Sequence, residues 1–198
     1  MHQHDEHHQG HGGGLNTMAV SATLHCLTGC AFGEIVGMLI GTGAGLANGA
    51  TVALSILLAF CFGYLLSTLP LLRSGLAVGA ALRVVLAADT LSILTMEVVD
   101  NLVILLIPGA MDAGLVNVVF WLSLALSLAV AFVAAYPVNR ALLRRGRGHA
   151  LTHEFHGERA EPEGARRLIP AIPTGSLVAV ISAFLLGGLV VSIAEALS

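Results

Sequence analysis

Five apolar runs, each long enough to cross a bilayer as a helix, alternate with short polar breaks along this chain. They cover residues 23–46, 49–72, 82–107, 115–138 and 175–197. Hydrocarbon offers no water to satisfy backbone N–H and C=O groups, so runs of this length must be helices. The pattern predicts an all-α, polytopic transmembrane helical bundle of about five spans. Residues 1–22 read as a His- and Gly-rich disordered tail. Residues 23–139 form a four-helix membrane core, 140–173 a basic loop with a His cluster, and 174–198 a fifth span. A four-span chain with its last segment lying along the interface is the alternative.

The third run breaks its own pattern. Asp89, Glu97, Asp100 and Asn101 lie inside it, with Met96 among them. A carboxylate at membrane depth costs about 3 kcal/mol on insertion scales, so such groups face a protein interior or a wet cavity. Asp89, Ser92, Met96 and Asp100 share one helical stripe, and Thr90, Glu97 and Asn101 an adjacent one. Pairing with Arg83 is the bland explanation. One Arg near the membrane surface cannot neutralise Glu34, Asp89, Glu97 and Asp100 together, so some must carry a proton or meet a cation. These four, with Asn101, form the candidate transport or proton pathway. After the run, Pro108-Gly109 stops the helix, and Met111 and Asp112 can form an outer mouth. Asp112 also reads as an ordinary N-cap for span four.

The first run carries two stripes of four-residue spacing. Gly29, Gly33, Gly37, Gly41 and Gly45 make a small-residue face suited to close helix packing, within the chain or in a homo-oligomer. Beside it run Cys26, Cys30, Glu34 and Met38, with His25 at the entrance. Thiol and thioether suit soft ions such as Cu(I), and the carboxylate widens the range. The bland reading makes the cysteines small helix residues and Met38 a filler. His149, His153 and His156 would align on a helix, and His2, His4, His7, His8 and His11 crowd the tail. The candidate metal ligands are therefore Cys26, Cys30, Met38, Met96, His25, His149, His153 and His156. Copper or zinc is the favoured ion.

Composition agrees with the pattern. The chain has 198 residues, 56% hydrophobic and 11% charged, where a soluble domain carries about 25% charged residues. All nine basic residues are Arg. Seven follow span four, in residues 140–167, which makes that loop cytoplasmic. Alternation then places Arg73 and Arg83 on the same side, the amino terminus inside and the carboxyl terminus outside. No basic patch suits nucleic acid. Cys26, Cys30 and Cys61 are odd in number and lie in apolar runs, which argues against a disulfide framework. Leu27-Thr28-Gly29-Cys30 matches a lipoprotein cleavage site, but its main apolar stretch comes after the cysteine and not before it.

Several strings occur together: His25-Cys26-x-x-Gly29-Cys30, Ala88-Asp89-Thr90-x-Ser92-Ile93-x-x-Met96-Glu97-x-x-Asp100-Asn101, and Pro108-Gly109-Ala110-Met111-Asp112-Ala113-Gly114. Pro137-Val138-Asn139-Arg140 and Gly146-x-Gly148-His149-Ala150 follow. The combination, over roughly residues 24–153, resembles a family of small prokaryotic membrane proteins known as a domain of unknown function. That resemblance implies a prokaryotic inner (cytoplasmic) membrane and lends no activity or cofactor.

The residues point to a membrane transporter or channel for a transition-metal cation, with spans one and three lining the path. A non-transporting metal chaperone, sensor or metalloenzyme assembly factor would use the same ligands. A haem-binding redox subunit and an intramembrane aspartyl protease are weaker alternatives. The former lacks a C-x-x-C-H motif, and the latter needs carboxylates on facing helices. The chain is not expected to be an enzyme.

Overall fold

A computed structural model of the chain describes residues 11–145, 164–170 and 172–198. All regular structure among them is helical: α1 His11–Gly43, α2 Asn48–Arg73, α3 Val78–Leu106, α4 Val118–Arg144, a short 3-10 turn Gly164–Leu168, and α5 Thr174–Ala196. All five α-helices are long and apolar enough to cross a membrane. The span count read from the hydropathy pattern holds, and the ends of the middle spans shift by a few residues. The largest shifts are at the start of α1 and the end of α4. The former begins at His11 and not at residue 23, so residues 11–22, expected to be disordered, are helical. The latter continues through Pro137 to Arg144.

The order of packing follows from small residues. The widest contact is between α1 and α2. A Cβ on Gly33 would lie 2.1 Å from the Ala59 nitrogen, and one on Gly29 2.4 Å from the Gly63 Cα. Gly37 and Gly41 meet Ser55 and Thr51 in the same way. Two backbones approach this closely only where neither helix carries bulk. Gly29, Gly33, Gly37 and Gly41 are therefore taken up by α2 within the chain, one of the two uses expected of that face. Gly45 does not belong to that face. It lies beyond α1 with φ +66, and shapes the turn into α2.

The remaining helices close around α1. Both α3 and α4 contact it, and they also pack on each other. Buried links fix the register: Asn139 Nδ2 donates to Thr23 Oγ1 at 2.9 Å, and Ser55 Oγ donates to the Glu34 backbone oxygen at 3.3 Å. The core joins Cys26, Leu27, Cys30 and Ile35 of α1 to Ile93 and Met96 of α3 and to Trp121, Leu124 and Leu128 of α4. Against α1 and α4 lies α5, which buries only Leu177 and Ser192. Its closest fit is Gly188 under the Trp121 ring.

Candidate functional site

The polar positions of the first and third spans converge as the sequence led us to expect. Both helices run in the same direction, so their four-residue stripes meet rung by rung. Cys26 lies beside Asp89 and Ser92, Cys30 beside Glu97, and Glu34 beside Asp100. Ser127 of α4 faces Asp100 from the third side. Glu34 and Glu97 each sit about 13 Å along the axis from the same end of their helices.

These groups are buried and poorly satisfied. Glu34 is 8% exposed, Glu97 3% and Asp100 2%. Both carboxyl oxygens of Glu34 and of Glu97, and Oδ1 of Asp100, accept no hydrogen bond among the described residues. A buried acceptor left unmet costs about 1–3 kcal/mol, and more when charged. Two carboxyls facing each other can bond only if one of them carries a proton. Arg83, the counter-charge considered from sequence, is exposed and does not fill this role.

Glu34, Glu97 and Asp100 form the floor of a cavity of about 410 Å³, with the carboxyl oxygens of Glu34 and Glu97 themselves covered. It lies between the C-terminal halves of α1 and α3 and the N-terminal ends of α2 and α4, beneath the two connectors, residues 44–47 and 107–117. Met38, Asn101, Met111 and Asp112 line it as well. Met111 and Asp112, read from sequence as a mouth, line it at the connector end. Asp112 does not cap the next helix. Asn117 does so, its Oδ1 accepting from the Val119 N–H at 2.9 Å. Asp112 Oδ1 instead accepts from Asn48 Nδ2 at 3.0 Å and ties the two connectors together across the rim. Gly109, with φ +79, supplies the turn that a residue with a Cβ rarely adopts.

The candidate metal ligands separate into groups. Met38 reaches the cavity, while Cys26, Cys30 and Met96 are buried in the packed core below it. His25 is turned along α1, its Nδ1 donating to the Ser21 carbonyl at 2.8 Å. His149, His153 and His156 lie outside the described residues. Among the described residues, no three His, Cys, Asp or Glu side chains are grouped so as to hold a metal ion. Asn101 lines the cavity with its amide donating to the Glu97 backbone oxygen at 2.8 Å.

Sequence reading missed the contribution of α2 and α4. Thr51 and Ser55 line the cavity from α2, and Ser123 from α4, with Ser127 against Asp100. The signal was present as isolated hydroxyls four residues apart in otherwise apolar runs. Such pairs also serve as plain helix-packing residues, so spacing alone did not separate the two uses.

An all-helical membrane protein with an acidic cavity between its helices is thus the class that fold and site define. The chain belongs to the family described as Domain of unknown function (DUF4396), which matches residues 15–148. That match takes in α1 to α4 and every cavity-lining residue, and leaves α5 outside. No curated protein and no solved structure matches the chain.

Proposed function

We propose that this protein is a membrane cation transporter or channel whose site is the Glu34, Glu97 and Asp100 floor. One observation carries the reading: three buried carboxyls with unmet oxygens line a cavity reached from one face of the bundle. Protein interiors tolerate such groups where a cation or proton satisfies them. The ladder below, through Cys30 and Cys26 to Asp89, is the continuation of the path between α1 and α3. The site belongs to the cytoplasmic membrane of a prokaryote, with the amino terminus inside and the cavity open to the outside.

Copper or zinc is one possible cargo. Cys26, Cys30 and Met96 are almost wholly buried in one cluster, and Cu(I) accepts a small number of soft ligands. That observation favours a second reading, a membrane copper-binding protein that does not transport. Proteoliposomes separate the readings. Influx of Zn²⁺, Cu⁺ and protons is followed with entrapped indicators for the wild type, Glu97→Gln and Asp100→Asn. Transport predicts flux that falls roughly tenfold or more in both variants. Equal flux in wild type, variants and protein-free vesicles overturns it, and stoichiometric copper without flux supports the second reading.

A further inference from the structure

We infer that the cavity above Glu34 and Asp100 binds an organic ammonium ion with a compact apolar body. This rests on the reading that the cavity is the cation site, and names the class of its occupant. Size is the first argument. A volume of about 410 Å³ is that of a small-molecule pocket, whereas a single water takes up about 30 Å³ of liquid. A desolvated inorganic ion would leave most of this space unused.

The lining is the second argument. The floor is acidic, and among the described residues no Arg or His lines the cavity. The walls carry an apolar part, Val52 and Ile56 of α2, Ile104 of α3, and Phe120 and Leu124 of α4, beside the hydroxyls of Thr51, Ser55 and Ser123. An ammonium ion needs one anionic end, and an apolar body gains from the remaining wall. Charge provides orientation and area provides affinity, the usual division in small-molecule sites. Glu34 and Asp100 oppose each other from two helices, so a cationic head seated on the floor is attracted by both carboxyls at once.

Benzyltrimethylammonium is a suitable probe, with ammonium as the same charge without the body and neopentylbenzene as the same body without the charge. Equilibrium dialysis against the full chain in lipid nanodiscs gives saturable binding of benzyltrimethylammonium. Ammonium competes weakly and neopentylbenzene does not. Glu34→Gln and Asp100→Asn each weaken binding by roughly tenfold or more. Ile104→Trp, which leaves the carboxyls in place and reduces the apolar space, weakens the probe and spares ammonium. That variant keeps the test open if a carboxyl variant fails to fold. No saturable binding, or binding equal in wild type and all three variants, overturns the inference. If the probe does not bind while Zn²⁺ or proton flux persists, this inference falls and the transport reading stands. If both binding and flux are absent, both fall.

Discussion

At the scale of single residues, this protein divides its membrane interior between glycines that permit contact and carboxyls that resist it. Gly33 shows the first case. A Cβ there would meet the Ala59 backbone, which cannot step aside. Gly33→Ala should destabilise the α1–α2 pair by about 1–3 kcal/mol, the usual penalty of overpacking, read as a fall in unfolding midpoint in detergent. Gly187→Ala is the control. Nothing lies within 4 Å of its new methyl, and an unneeded helical glycine costs about 0.5–1 kcal/mol, so stability should hold or rise. Glu34→Gln shows the second case. It keeps the shape and removes a buried ionisable group that faces Asp100, so the unfolding midpoint should hold or rise while cation flux is lost. A fall in both would make Glu34 a packing residue. The acidic positions were legible in sequence because lipid makes a carboxylate conspicuous. Asp112 was legible as a mouth residue but not as the partner of Asn48, because the two are distant in sequence and meet only when α1 and α3 align.

At the scale of elements, long apolar runs made the spans easy to read, and weakly marked ends made their limits hard. Residues 11–22 carry three glycines in a row and several polar groups, which argue for disorder. Tertiary contact overrides that propensity: Ala19, Ala22 and Thr23 are buried, and Asn139 of α4 bonds Thr23. Whether the glycine face served α2 or a second copy was not legible, since both uses need the same small residues. The connectors have a definite role in the fold. Their tie, Asn48 to Asp112, is exposed, so Asn48→Ala should change stability by about 1 kcal/mol or less. It should nevertheless speed amide exchange in residues 44–47 and 107–114, because the rim loses its cross-link. Unchanged exchange there would mean that the rim is held by backbone turns alone. The fifth helix is a separable layer by the same logic. Trp121 is the chain's single tryptophan and packs edge-on against Phe184 at 5.3 Å. Deleting residues 171–198 should leave α1 to α4 inserted and should expose Trp121 to quenching by brominated lipid. A quenching curve equal to that of the intact protein would show that α5 does not shield that face.

At the scale of the whole molecule, charge and cavity lie at opposite ends of the bundle, and that polarity gives the site its direction. Every described Arg sits at the end away from the connectors that roof the cavity. Arg73 ends α2 and donates to the Ile169 carbonyl at 2.9 Å. Arg140, near the end of α4, donates to Asn16 Oδ1 at 2.9 Å. Arg144 and Arg145 follow it, Arg166 and Arg167 precede α5, and Arg83 lies in the second turn of α3. The opposite rim carries Asp112 and no Arg among the lining residues. Arginine-rich loops stay on the cytoplasmic side because moving positive charge across the membrane during insertion is resisted. The orientation we propose on that rule opens the cavity outward and, with an odd number of spans, sets the carboxyl terminus on the outer side with it. Single cysteines test this in cells carrying Cys61→Ser, since Cys26 and Cys30 are buried. Asp112→Cys and Ser198→Cys should react with a membrane-impermeant maleimide in intact cells, and Arg145→Cys only after lysis. The reverse pattern would turn the cavity toward the cytoplasm, and the acidic floor would then collect its cation from inside the cell. Labelling of both ends from one side would remove α5 from the membrane and restore a four-span chain. The proposed transport path would survive that last outcome, because every cavity-lining residue among the described ones belongs to α1 through α4 and their connectors.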